Sequence, residues 1–276
     1  MTFVPPHHHW KPTRIRGLVQ ALPSGSEALL VETDAGAAYA KLPGGKEGPH
    51  ILACELVGTR LAALLGLPVL DWVLMPYPGQ PALKLRSGRM AQAGTAWLTR
   101  KVNGFGWGRE ASDLKHISNR ADIAKLVILD QWTRNCDRYR PEPKLRVNEN
   151  NVFLNREGAP IGQFILMAMD HTHIFTCGGP LSRDMAKIDL VKDVTAFGLF
   201  PEFEGAIQRA DAVAAAAALA AVTDEAIHEI VASIPADWEV DGTIRAAMED
   251  FLRQRRDWLS KTFVSRLFPQ DELALE

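Results

Sequence analysis

Several side chains in this 276-residue sequence are of the kinds that move a phosphoryl group. Such a transfer needs a triphosphate held, its charge neutralised, a metal fixed and an acceptor hydroxyl oriented. Lys41 stands in Tyr39-Ala40-Lys41-Leu42. On a strand, Tyr39 and Lys41 share a face, so the ammonium would lie over one side of a sheet, where it could hold phosphates. Glu55 lies in the next segment and could pair with Lys41 and fix its direction. Asn135-Cys136-Asp137-Arg138-Tyr139 follows a long apolar run. There Asp137 could accept or orient the proton of an attacking hydroxyl. Asn151 precedes Val152-Phe153-Leu154, and Asp170 ends the apolar run Ile165 to Met169. Oxygen ligands at the ends of two short strands suit Mg²⁺, which keeps several waters and takes one or two protein oxygens plus phosphates. Taken singly, each residue also has a plain structural reading: a solvated lysine, an exposed glutamate, a helix-end cap, a turn aspartate. Their order along the chain carries the inference. His171 and His173 sit in one short segment with no partner cluster, so zinc is not indicated.

The elements that must position these groups are legible in outline. Arg14 to Leu22, Ala28 to Thr33 and Ala37 to Leu42 read as an antiparallel meander, with Pro23-Ser24-Gly25-Ser26 as its first turn. A helix follows between Pro49 and the stop Gly66-Leu67-Pro68. Its stripe is Cys54, Val57, Leu61, Leu64 and Leu65, and Glu55 is displaced from it toward Ile51, Gly58 and Ala62. Val69 to Met75 and Ala96 to Val102 read as two further strands. Asn103 to Gly108 reads as a flexible crossover and a lobe boundary. Beyond it, Asn119 can cap a helix reaching Thr133, apolar nearly all round and so central to the second lobe. Val152 to Leu154 and Ile161 to Met169 suggest a hairpin about Asn155–Gly158. Helices are expected over Glu204 to Ala221, Asp224 to Ile234 and Gly242 to Leu267. The fold class is thus α+β, with an antiparallel-sheet lobe over residues 13–102 and a mainly helical lobe over 103–276.

Composition excludes several other classes. Hydrophobic residues make up 47%, enough for a core without disulfides. The formal net charge of −2 gives no electrostatic case for direct nucleic-acid or membrane binding. Cys54, Cys136 and Cys177 are widely spaced, without a CxxC pair, which fits a reducing cytoplasm. His7, His8 and His9 read as part of a mobile polar arm. No stretch approaches the roughly 18 continuous apolar residues of a membrane span.

Leu129-Asp130-Gln131-Trp132-Thr133-Arg134-Asn135-Cys136-Asp137-Arg138 resembles the D-x-W-x-x-N-x-D-R-H segment of the HipA-like kinases, relatives of the phosphatidylinositol 3/4-kinases. Tyr39-Ala40-Lys41 and the stretch Gly48 to Leu56 are similar to that family's lysine strand and glutamate helix. Met169-Asp170-His171 resembles its metal motif, and Pro235 to Trp238 and Arg253 to Trp258 also look familial. The resemblance implies a two-lobed kinase fold using ATP and Mg²⁺. It implies Lys41 contacting ATP, Glu55 pairing with it, Asp137 as catalytic aspartate, and Asn151 and Asp170 holding metal. Ser24, Gly25 and Ser26 would cover the phosphates with backbone N–H groups. The sequence departs from the family in three places. Tyr139 replaces a histidine, and Thr172 replaces a glycine. An insertion separates Asp137 from Asn151 and leaves Asn148 and Asn150 as rivals for the metal.

The expected activity is phosphorylation of a Ser or Thr hydroxyl on a protein, itself included; the alternative readings are a lipid or small-molecule kinase and an ATP-binding pseudokinase that serves as an interaction module. A toxin-like role would add a helix-turn-helix antitoxin as partner.

Overall fold

The computed structural model describes residues 10–176 and 178–269. The histidine run at 7–9 and Cys177 lie outside the described residues.

The N-terminal part is a five-stranded antiparallel sheet: β1 (Ile15–Ala21), β2 (Leu29–Thr33), β3 (Gly36–Lys41), β4 (Trp72–Tyr77) and β5 (Gly94–Arg100), in the order β1-β2-β3-β5-β4. The meander is as expected. The later strands are displaced: Val69 makes only an isolated bridge to Ala168, and the strand starts at Trp72. The alternation of β3 sorts its side chains. Ala38 and Ala40 enter an outer core with Leu29, Val31, Met75 and Leu98, while Tyr39 and Lys41 face inward to a cavity.

Helix α1 (His50–Leu64) crosses the inner face. The expected stripe describes only part of it. Ile51, Leu52, Ala53, Glu55, Leu56, Gly58 and Ala62 are buried too, because the helix packs on both the sheet side and the C-terminal part. The segment 103–108 is not merely a crossover. It contains β6 (Gly104–Gly106), which pairs with a strand of the C-terminal part.

The short helix α2 (Ala111–Leu114) leads to α3 (Asp122–Thr133). Every α3 residue from Leu126 to Thr133 is buried, and each Leu or Ile there contributes about 1.5–3 kcal/mol by leaving water. Asn119 stands ahead of the helix proper, where it donates to Asp122 Oδ2 and to the Leu166 carbonyl and accepts from Leu166 N–H. A small hairpin, β7 (Tyr139–Arg140) and β8 (Arg146–Val147), occupies the insertion. Strands β9 (Val152–Asn155) and β10 (Ile165–Ala168) pair as expected and complete the sheet β10-β9-β6. Ile161 is fully exposed in the connecting turn and belongs to no strand.

The remainder is helical: α4 (Ile188–Val191), α5 (Pro201–Glu204), α6 (Arg209–Ala220), α7 (Asp224–Ala232) and α8 (Gly242–Leu267). The helix expected from Glu204 begins instead at Arg209 as α6, and Glu204 is the last residue of the separate α5. On α8, Arg255 is fully buried and donates to the carbonyls of Gln131, Leu190, Val191 and Asp193, tying α3 to α4 and the turn after it. The segment Pro235–Trp238 clasps the first sheet: Thr95 N–H donates to Asp237 Oδ2 at 2.6 Å, and Trp238 Nε1 donates to the Thr95 carbonyl at 2.9 Å. Among the described residues no helix is long and apolar enough to cross a membrane.

Candidate functional site

Strand β3 ends with Lys41 pointing into the cleft between the sheet and the helical part. Its Nζ lies 2.7 Å from Glu55 Oε2 on α1 and 2.9 Å from Asp170 Oδ1, just after β10. One cation therefore serves two carboxylates from distant parts of the chain. Asp170 adopts a left-handed backbone (φ 56°), a conformation uncommon for a residue with a side chain and often held at functional sites. Two further bonds hold the arrangement: Thr172 Oγ1 donates to Asp170 Oδ1 at 3.0 Å, and His171 N–H donates to Glu55 Oε2 at 3.0 Å.

The electrostatics follow from burial and charge count. Burial favours the neutral form of Asp170, but the charge and hydrogen bond of Lys41 outweigh it and hold the carboxyl well below the usual range. Glu55 moves the other way: burial, aided by the Asp170 charge, raises its pKa despite Lys41. Burial disfavours the Lys41 ammonium too, yet Asp170 and Glu55 more than compensate and raise its pKa. Two carboxylates on one ammonium leave the trio one positive charge short.

Asp137 is placed by the end of α3. Arg134 closes the helix in the left-handed region (φ 53°), and Asn135 N–H returns to the Asp130 carbonyl at 2.8 Å. Asn135 then bridges, donating to Asp130 Oδ1 at 3.0 Å and accepting from Asp137 N–H at 3.1 Å. Arg138 turns into the core. Its Nε lies 2.7 Å from Asp130 Oδ2, both side chains fully buried. Its guanidinium also donates to the carbonyls of Asn151 and Met169. Arg138 thus ties together the segments that carry Asp137, Asn151 and Asp170.

The Asp137 carboxylate is buried and asymmetric. Oδ2 accepts from Asn151 Nδ2 at 2.9 Å and from Asn148 Nδ2 at 3.3 Å. Oδ1 lies 2.5 Å from a guanidinium nitrogen of Arg146 but accepts no hydrogen bond in proper geometry. His173 Nδ1 stands 3.6 Å from Oδ2, and its Nε2 stands 3.7 Å from Glu47 of the sheet part. Thr172 Oγ1 contacts His173 Nδ1 at 3.1 Å. A continuous run of contacts therefore leads from Lys41 through Asp170, Thr172 and His173 to Asp137.

A cavity of about 360 Å³ opens beside these groups. Ser24, Ser26, Tyr39, Lys41, Glu55 and Asp170 give it a polar end, and Leu70, Phe105, Phe153 and Met169 give it an apolar one. Ser24 Oγ accepts from Ala28 N–H at 2.9 Å, closing the turn after β1. Gly25 lies where a β-carbon would come 3.3 Å from Glu47 Oε1. Gly106 must lack a side chain, since a β-carbon there would approach Asn150 Oδ1 to 2.8 Å and Asn150 Cα to 2.9 Å. Asn150 lines the cavity, whereas Asn148 and Asn151 both bond to Asp137.

The donor set fits a hard cation that shares its coordination with phosphates. Asp170 supplies an ionised carboxylate in a trio short of positive charge, and Asn151 is fixed through its amide nitrogen to Asp137 Oδ2. Among the described residues no group of three or more His, Cys, Asp or Glu is placed to hold a metal by itself. His171 is buried with both ring nitrogens lacking a hydrogen bond, and burial holds its pKa well below the ordinary value, so it packs as a neutral ring.

Sequence reasoning missed Glu27, Glu47, the Asp130–Arg138 pair and Arg146. Glu27 had a usable signal, as an acid directly after Ser-Gly-Ser: it is buried in the left-handed region (φ 54°) and accepts from the N–H groups of Lys46 and Ser87 at 2.8 and 2.7 Å. Arg146 had none, because its meeting with Asp137 depends on how the insertion folds back.

No family model and no curated protein matches the chain in sequence. Solved structures do. The crystal structure of the Helicobacter pylori proinflammatory kinase CtkA superposes with a TM-score of 0.58 at 11% identity, over 93% of this chain and 97% of that one. HipA of Shewanella oneidensis, solved with HipB and operator DNA, matches with a TM-score of 0.43 at 11% identity, over 92% of this chain and 67% of that one. The likeness to CtkA establishes a kinase-like α+β fold, with an N-terminal antiparallel sheet and a helical C-terminal part.

Proposed function

We propose that this chain is an ATP- and Mg²⁺-dependent phosphotransferase of HipA-like type that phosphorylates a Ser or Thr hydroxyl of a protein. The observation that carries the reading is the convergence of Lys41, Glu55 and Asp170 with Asp137 and Asn151 along one cleft. The two lobes would divide near residue 103, with the cleft between them.

The geometry supports a set of roles. The apolar end of the cavity suits a flat base, and the polar end suits a triphosphate. Lys41, held by Glu55, would face the phosphates, and the Ser24-Gly25-Ser26 turn would cover them with backbone N–H groups. Asp170 and Asn151 would hold Mg²⁺, which when bound neutralises phosphate charge. Asp137 Oδ1, which faces the half-exposed Arg146 guanidinium, could take an incoming hydroxyl when that ion pair opens; the amides of Asn148 and Asn151 hold the other oxygen and so orient the carboxylate.

The test is transfer of label from γ-labelled ATP with Mg²⁺ to the chain itself and to candidate proteins, compared with Asp137→Asn. Transfer that Asp137→Asn abolishes while nucleotide binding survives supports the reading. Binding without any transfer by the wild-type chain contradicts it and describes a pseudokinase. Transfer to lipid or small molecules alone moves the acceptor to another class.

A further inference from the structure

The roles above leave the acceptor side of the cleft without a cation. We propose that Arg146, on β8 of the inserted hairpin, is a catalytic residue that meets the transferring phosphoryl group. This rests on the phosphotransferase reading.

Three observations carry it. Arg146 stands at the carboxylate where the acceptor would bind, with a guanidinium nitrogen 2.5 Å from Asp137 Oδ1. The two form an ion pair without a hydrogen bond of proper geometry. The Arg146 side chain is 47% exposed, while its backbone is fixed by the ladder pairs Tyr139↔Val147 and Arg140↔Arg146 and by Asn148 N–H donating to the Arg138 carbonyl at 2.9 Å. The guanidinium can therefore move on a fixed base.

The neighbouring cations are committed. Lys41 serves Glu55 and Asp170. Arg138 is fully buried and serves Asp130 and two carbonyls.

The chemistry then closes in one movement. An acceptor hydroxyl on Oδ1 would sit about 3–3.5 Å from the phosphorus it attacks. The guanidinium beside the same oxygen is then within a side-chain swing of the phosphoryl oxygens. In the step, the hydroxyl proton passes to Asp137 Oδ1 and the acceptor oxygen bonds to the γ-phosphorus. The bond from that phosphorus to the β,γ-bridging oxygen breaks, and its electron pair leaves on ADP. Arg146 forms no covalent bond. By leaving Oδ1 for the phosphoryl oxygens it uncovers the base and brings a planar, permanently charged donor to the developing negative charge.

The experiment compares the full chain with Arg146→Ala and Arg146→Lys. Binding of Mg·ADP, binding of Mg·ADP with aluminium fluoride, and single-turnover transfer from ATP are measured, with thermal unfolding as a check on folding. The expected result is unchanged ADP affinity, with Arg146→Ala losing about 100-fold in both aluminium fluoride complex affinity and transfer rate. Arg146→Lys should recover part of the loss. Transfer that is unchanged or faster in Arg146→Ala, beside an active wild type, overturns this proposal and leaves the parent reading intact. A wild-type chain that binds neither nucleotide complex overturns both.

Discussion

A β-carbon on Gly58 would lie 2.3 Å from the β-carbon of His171. Helix α1 and the segment after β10 thus touch at the one place where Glu55, one turn earlier, accepts the His171 N–H. Gly58→Ala should destabilise the chain by about 1–3 kcal/mol in urea unfolding, despite the better helix propensity of alanine. Because the clash is with a β-carbon, His171→Ala should not rescue it, whereas His171→Gly should. Full stability in Gly58→Ala alone would contradict this contact.

The buried Asp130–Arg138 pair gives a second prediction. Asp130→Ala leaves a buried guanidinium without its anion and should cost about 3–5 kcal/mol by denaturant titration. Replacing both members with apolar residues of similar volume should cost less than either single change. Activity should stay low in the double variant, because Arg138 also holds the carbonyls of Asn151 and Met169.

Glu55 and Asp170 should show opposite pH behaviour although they share one lysine. The folded pKa of Glu55 is raised, so the folded chain binds its proton before the unfolded chain does as pH falls. Its ionisation therefore costs stability at neutral pH. The folded pKa of Asp170 is lowered, so its contribution is present above the unfolded value, near 3.8, and is lost as pH falls through the folded one. At pH 7 Glu55→Gln should match or exceed wild-type stability, and Asp170→Asn should fall below it. Both should lower phosphoryl transfer by at least about 10-fold. Urea midpoints from about pH 2 to pH 8 read the contrast, and equal effects of the two changes would refute it.

Much of this site was legible in the sequence for a physical reason. Lys41 and Glu55 lie on regular elements whose periodicity fixes direction, and Asp137 follows a helix whose apolar run marks it as buried. Strand β3 and helices α3 and α8 came out close to expectation on the same ground. What escaped depends on tertiary contact. Strand β6 is three residues of Gly-Phe-Gly that pair with β9, far along the chain, so no local pattern announces it. Helix α1 looked one-sided, yet it is buried on both sides, and Gly58 lets the His171 segment approach. Arg146 is charged and half-exposed, and only the fold of the insertion brings it to Asp137.

The most direct measurement is a crystal structure of the chain with Mg²⁺ and a non-hydrolysable ATP analogue. The expected result is a triphosphate against Lys41, with a metal bound at about 2.0–2.1 Å by side-chain oxygens of Asp170 and Asn151. A nucleotide seated away from Lys41, or a metal held by other groups, would contradict the assignment of this cleft as a phosphoryl-transfer site.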